Sequence, residues 1–172
     1  VIVGIGIVPN TELAEVAGLA VDNGIVVDAH AQTSDAAIYA IGDCAQHDNG
    51  FLARRLRLES VPHAMEHART AAAAIAGKPA PYQAMPWFWS DQYELKLQMA
   101  GLADGHDQRV VRGDLGQESF CVFYLKDGAV LSADAVNRPQ EFAVAKQLVA
   151  QRKVVDAAVL ADETAPLKNL LV

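Results

Sequence analysis

Apolar and polar positions follow different rules in the two halves of this chain. Residues 1–8, VIVGIGIV, are apolar with little alternation, the pattern of a strand buried on both faces. Residues 24–27 and 37–41 predict two further short apolar strands, separated by the polar stretch from His30 to Asp35. Asn23-Gly24 predicts a tight turn. Residues 48–57, polar and rich in arginine, read as an exposed loop. A helix follows over residues 62–76. Pro62 suits its first turn, Gly77 its C-terminal cap, and Pro79 and Pro81 forbid its continuation. Ala64, Ala68, Ala71 and Ile75 recur at helical spacing and predict a buried stripe in close contact with a sheet or another helix.

Closely spaced breakers over residues 78–86 mark the best domain boundary. Beyond them the pattern becomes antiparallel. Leu95, Leu97 and Met99 alternate with Lys96 and Gln98, and residues 109–112 form a second short run. Residues 119–125 and 129–136 flank Asp127-Gly128, a strong two-residue hairpin signal. Asn137 is placed to cap a helix over residues 139–151 whose buried face would carry Phe142, Ala145, Leu148 and Val149. The pattern predicts an α/β first part followed by a small α+β domain, one antiparallel sheet with a helix upon it.

Composition narrows the function. The chain has 172 residues, 52% of them hydrophobic, enough for a sizeable core. A net charge of −7 disfavours nucleic acid as a partner. No apolar run approaches the length of a membrane span. Two unlike cysteines, Cys44 and Cys121, give no disulfide framework and predict a reducing, cytoplasmic setting. Cys44 has no neighbouring partner thiol, so packing is its expected role. The histidines show no metal-ligand spacing, and no metal site is expected. A chain that starts with Val inside an apolar strand reads as a piece of a longer protein.

Gly4 and Gly6 suggest a dinucleotide-binding loop, but the third glycine of G-x-G-x-x-G is replaced by Pro9 and no long helix follows. The more telling stretch is YAIGDCA, residues 39–45. A small apolar strand ending in Gly42-Asp43 puts a carboxylate at the carboxyl end of a sheet, where open α/β sheets bind ligands. Asp43 could accept from a ribose-like or ribityl hydroxyl, or could simply cap the next segment.

The order VIVGIGIVPNTEL, TSDAAIYAIGDCA, ESVPHAMEHA and PWFWSDQYELKLQMAGL resembles the C-terminal part of the FAD-dependent NADH:ferredoxin reductases of aromatic-ring dioxygenase and cytochrome P450 systems, the putidaredoxin reductase family. The resemblance continues through VNRPQEF and APLKNLL and covers essentially the whole chain. It implies that residues 1–8 are the last strand of an NADH-binding domain, 9–82 the C-terminal part of a Rossmann-like FAD-binding domain, and 83–172 a C-terminal α+β reductase domain. Both glycine-rich phosphate loops would then lie upstream, and the chain alone would bind FAD weakly or not at all and would not oxidise NADH.

The resemblance also assigns residues. Gly42 and Asp43 match the element that binds the FAD ribityl chain. Val61, Pro62 and His63 match the segment whose backbone meets the pyrimidine end of the isoalloxazine. Reduced flavin carries negative charge there, and a helix N-terminus offers free N–H groups and a positive partial charge. Pro62 has no N–H, so Val61 and His63 would supply the amides. Trp89 is implied beside the flavin, whereas Trp87 reads as part of a domain-interface core. Arg69, with Arg54, Arg55 and Arg57 in the adjoining loop, is a candidate contact for an acidic 2Fe–2S ferredoxin or a rubredoxin, although solvated surface charge explains such residues equally well. A homodimer stays open. The alternatives are a docking or dimerisation module of the apoptosis-inducing-factor type, and an NADH oxidase or nitrite reductase component, against which PWFWSDQY argues.

Overall fold

The computed structural model describes residues 1–171, and the chain parts into two units after Ala84. In the first, a short helix α1 (Glu12–Val16) precedes β1 (Val21–Asp22), β2 (Gly24–Val26), β3 (Ala45–Asn49) and β4 (Arg54–Arg57). These form one sheet in that order, with β2 and β3 parallel and the outer pairs antiparallel. Asn23 sits at the tip between β1 and β2, as the Asn-Gly signal predicts.

Three expectations for this unit need correction. Residues 1–8 form no strand and lie exposed, with Ile2 100% accessible. An apolar run becomes a strand only by pairing, and no described segment pairs with it. Residues 37–41 are likewise no strand, apart from a single bridge between Gln32 and Tyr39. Side chains satisfy the backbone there instead. The Ala37 amide donates to Asp35 Oδ1 at 2.8 Å, and the Thr33 hydroxyl donates to the Ile38 carbonyl at 3.0 Å. Residues 48–57, expected as a loop, are the ends and turn of the β3–β4 hairpin. Asp48 stands opposite Arg55 across it and accepts two hydrogen bonds from that guanidinium, at 3.0 and 2.8 Å. Opposite charges on a cross-strand pair suit an exposed ladder as well as apolar residues do.

Helix α2 (Val61–Ile75) starts at an N-cap, Ser60, whose hydroxyl accepts from the His63 amide. It ends where the Lys78 amide donates to the Ala73 carbonyl across Gly77. Its buried face is His63, His67 and Ala71. The alanine stripe read from the sequence is only half-buried at Ala64 and Ala68, and Ile75 is exposed. Of the stripe only Ala71 is buried, and the rest of the buried face is polar, His63 and His67, so the alanine spacing is offset from the face the helix buries.

The second unit is a five-stranded antiparallel sheet in the order β5-β6-β9-β8-β7, from β5 (Trp87–Gln92), β6 (Leu95–Gly101), β7 (Gln108–Asp114), β8 (Ser119–Lys126) and β9 (Ala129–Val136). Asp127 and Gly128 both have positive φ, 50° and 78°, so the β8–β9 turn has the handedness that matches strand twist. Helix α3 (Pro139–Ala150) buries Phe142, Ala145, Leu148 and Val149, the four positions its spacing predicts. Burying each of the larger ones contributes about 1.5–3 kcal/mol. A short α4 (Ala157–Ala161) closes over β7.

Asn137 does not cap α3. With φ of 51° it turns its side chain away, accepting from the Lys96 amide at 2.9 Å and donating to the Glu118 carbonyl at 2.9 Å. It therefore ties β6 to the start of β8, and the position that begins α3 is Arg138.

Candidate functional site

Gly42–Cys44 forms a single 3-10 turn between the extended Ile41 and β3. Gly42 is buried with φ of 71°, and a Cβ built on it would lie 3.5 Å from Ala64 Cβ, so the turn rests against the first turns of α2. The Gly42 amide donates to His67 Nδ1 at 3.3 Å. The turn then points Asp43 outward, and among the described residues its carboxylate has no hydrogen-bond or ion-pair partner.

Arg57 holds this turn from behind. It is almost wholly enclosed, donating to the Asp43 carbonyl at 2.9 Å and to Asn23 Oδ1 at 3.3 Å while pairing with Glu59 at 2.7 Å. Gly24 allows β2 to approach the same turn. It has φ of 108°, and a Cβ there would stand 2.6 Å from the Cys44 carbonyl oxygen. Gly24→Ala should therefore lower the stability of this unit by about 2 kcal/mol, since both the backbone conformation and the carbonyl oppose a side chain. Urea unfolding checks this; a loss below about 0.5 kcal/mol would mean that the turn shifts freely.

At the start of α2 the supply of free amides is smaller than the sequence suggests. Pro62 has none, the His63 amide donates to Ser60 Oγ at 3.2 Å, and the Ala64 amide to the Ser60 carbonyl at 2.9 Å. Of the first four positions of α2, Val61 is the one with an N–H for which no hydrogen bond is found among the described residues, and the residue is 58% exposed. The His63 amide, expected as a second donor, is engaged here by its N-cap.

The His63 side chain turns inward, where the sequence expected no cluster. His47 of β3, His63 and His67 of α2, and Tyr82 pack together, none more than 3% exposed. The three imidazole centroids stand 4.9 to 5.0 Å apart, and one ligand atom from each lies within 4.8 Å of the others. His63 Nδ1 is 2.9 Å from the Tyr82 hydroxyl. Both nitrogens of His47 and the Nε2 atoms of His63 and His67 have no partner. Leaving such atoms unpaired costs about 1–3 kcal/mol each. Burial, with His63 adding to it, holds His47 down to about 4, and burial holds His67 down to about 3. Burial likewise lowers His63 and pushes the Tyr82 phenol up to about 12. All three rings are neutral near pH 7. The i, i+4 pair in HAMEH was the available sequence signal; His47, sixteen residues upstream on a strand, had none.

The remaining assigned residues belong to other surroundings within each unit. Trp89, on β5 of the second unit, is 43% exposed, its ring centroid 5.5 Å from that of Trp87. Trp87 packs on α3 of its own unit, 6.3 Å from Phe142 and with Lys146 Nζ 3.9 Å above its ring. Arg69 is exposed and ion-paired with Glu66 one turn earlier on α2. Of the nearby arginines, Arg55 is engaged by Asp48 and Arg57 by Glu59, so the basic face is largely neutralised within the unit. Cys44 and Cys121 are both free thiols. Burial pushes the Cys121 thiol up to about 12, and neither has a partner for redox chemistry.

Residues 1–68 match the family described as pyridine nucleotide-disulphide oxidoreductase, and residues 87–171 match the reductase C-terminal family. Putidaredoxin reductase from Pseudomonas putida is 52% identical over 171 residues, covering 99% of this chain and 40% of its own length. Nearly the whole of the chain is thus similar to part of putidaredoxin reductase. The ferredoxin--NAD(+) reductase component of the anthranilate 1,2-dioxygenase system of Burkholderia cepacia is 45% identical over 172 residues, 99% of this chain and 42% of that one. The crystal structure of the covalent putidaredoxin reductase–putidaredoxin complex contains a chain that superposes with a TM-score of 0.91 at 52% identity, covering 98% of this chain and 40% of that one. The chain spans about two fifths of the length of the relatives it matches. No helix among its described residues is long and apolar enough to cross a membrane.

Proposed function

We propose that this chain provides the C-terminal share of a FAD site, and the domain that follows it, in a flavoprotein that passes electrons from NADH to a 2Fe–2S ferredoxin serving an oxygenase or a cytochrome P450. A rubredoxin is the less favoured acceptor. The observation that carries the reading is a pair of unused groups on two elements in contact, the Asp43 carboxylate on the Gly42–Cys44 turn and the Val61 amide at the start of α2, in a chain that is 52% identical to putidaredoxin reductase over 171 of its residues.

These residues fit the cofactor. An exposed carboxylate without a partner suits the hydroxyls of a ribityl chain, and a free first-turn amide at a helix N-terminus suits an acceptor that gains negative charge. When bound, FAD supplies hydride acceptance and one-electron release. Asp43 would hold the cofactor by accepting hydrogen bonds from its ribityl hydroxyls. Arg57 and Gly42 hold Asp43 in place, and the Val61 amide with the positive end of α2 favours the reduced, anionic state. No side chain here need move a proton. The indole of Trp89 presents an exposed face suited to an aromatic ligand. Arg69 meets the acidic acceptor, which must compete with Glu66 for the guanidinium. The free thiols agree with a cytoplasmic setting. The relatives are named as reductases, which gives the docking-module and oxidase readings no separate support.

Asp43→Asn in a protein of the relatives' full length should weaken FAD binding roughly 10- to 100-fold, the worth of a charge-assisted hydrogen bond. Flavin fluorescence titration measures it, and unchanged affinity would remove Asp43 from the site. Cytochrome c reduction by NADH should depend strongly on added 2Fe–2S ferredoxin. Rapid NADH consumption that ignores the ferredoxin would indicate an oxidase instead.

A further inference from the structure

We propose that His47, His63 and His67 form a binding site for one divalent transition metal ion of the zinc class. The three side chains converge from two elements, β3 and α2, and are almost completely enclosed. Four of their six ring nitrogens lack any hydrogen-bond partner, an unusual number for a native core, and one ligand atom from each ring lies within 4.8 Å of the others. A metal ion resolves that shortage in one step, because each ring contributes one nitrogen to it.

The geometry is close to what a metal needs. Zinc–nitrogen bonds of about 2.0–2.1 Å place tetrahedral ligand atoms roughly 3.4 Å apart. The candidate atoms lie within 4.8 Å of one another. Closing that gap takes modest rotation about the bond to each ring, a soft torsion for histidine. His63 is already oriented for the role. Its Nδ1 meets the Tyr82 hydroxyl at 2.9 Å, which leaves Nε2 to ligate with a hydrogen-bonded group behind it. For His67, ligation through Nε2 puts the ring proton on Nδ1, so the bond from the Gly42 amide must open. Metal binding would thus be felt at the Gly42–Asp43 turn.

The donor set selects the ion. Three imidazoles and no directly placed carboxylate suit zinc, cobalt, nickel or copper, and not magnesium or calcium. Burial keeps the rings neutral near pH 7, the form that ligates. Of the carboxylates around the cluster, Asp48 and Glu66 are already paired with Arg55 and Arg69, which leaves Asp43 to offset part of the charge of a dication. The site is a clamp between the sheet and the helix whose N-terminus carries the free Val61 amide. It involves no electron transfer, and it does not depend on the reading of the FAD site.

The test is titration of chelator-treated chain with Co²⁺ and, in parallel, Zn²⁺. One equivalent of Co²⁺ should give the intense visible bands of a tetrahedral nitrogen site, and Zn²⁺ should displace it one for one. Zn²⁺ should raise the melting temperature of the chain and shift the Gly42 amide resonance. His47→Phe, which keeps a ring in the core, and His67→Gln should each weaken binding at least 100-fold and abolish the thermal shift. His106→Ala, at an exposed position in the second unit, should leave both unchanged. Circular dichroism separates lost binding from lost folding, and either histidine variant that stays folded suffices. Absent cobalt bands, or binding that survives His47→Phe and His67→Gln, would overturn the proposal.

Discussion

Arg112→Met should destabilise the C-terminal unit by about 3–5 kcal/mol, the range for removing one partner of a buried ion pair. Arg112 is 2% exposed at the centre of β7 and uses its whole fork. Its Nε donates to Glu141 Oε1 at 2.8 Å, Nη1 to the carbonyls of Leu160 and Asp162, and Nη2 to the Ala165 carbonyl at 3.0 Å. One side chain therefore binds the sheet, α3 and the segment after α4. Burial works against ionised Glu141, yet hydrogen bonds from Arg112 and Arg138 hold its carboxyl below the usual range. Methionine fills the space but leaves the Leu160 and Ala165 carbonyls without their donor, and leaves Arg138 as the one guanidinium paired with Glu141. Arg112→Lys keeps the charge and should still lose much of the stability, because a point charge cannot serve four acceptors spread across a planar fork. Both tryptophans, Trp87 and Trp89, lie on β5 of this unit, so fluorescence-detected urea unfolding reports on it directly. A shift equivalent to less than 1 kcal/mol for Arg112→Met would show that the network is dispensable.

What could be read from the chain, and what could not, divides along one physical line. The C-terminal unit was legible because its signals are local. Period-two runs meet at Asp127-Gly128, and Phe142, Ala145, Leu148 and Val149 share one helical face. The Gly42–Asp43 turn was legible for the same reason, a short motif whose glycine adopts the positive φ it permits. Residues held by distant partners were not. Arg112 reads as a polar strand position, yet the acceptors that bury it lie 29 to 53 residues away. The pattern of residues 1–8 is that of a strand, but pairing decides, and pairing cannot be read from one segment. In α2 the apolar stripe misled, because burial went to His63 and His67 beside His47 and Tyr82. Polar side chains carry no hydrophobic period, so a polar core leaves almost no trace in a one-dimensional pattern.

That polar core should make the N-terminal unit sensitive to mild acid in chelator-treated protein. An unfolded histidine titrates near 6.5, whereas folding holds His47 down to about 4 and His67 to about 3. Above pH 6.5 both states are neutral and the unit has its full stability. As pH falls from there toward 4, the unfolded chain binds protons that the folded chain refuses, so stability falls, by up to about 1.4 kcal/mol per pH unit for each histidine. The total for His47 alone is about 3 kcal/mol, a large share of what a unit of this size possesses. His63, lowered in the same direction, adds to the effect. The groups facing the cluster do not cancel it. Tyr82 is raised and stays protonated throughout, and Asp48, held low by Arg55, releases its own contribution only below the histidine window. This unit contains no tryptophan, so amide exchange along α2, or tyrosine absorbance, must follow its unfolding between about pH 7.5 and 4.5. His47→Phe combined with His67→Gln should flatten the dependence while leaving the Arg112 unit unaffected. A wild-type unit whose stability is level across that window would mean that its histidines take up protons in the folded state, and that the enclosed cluster opens to water.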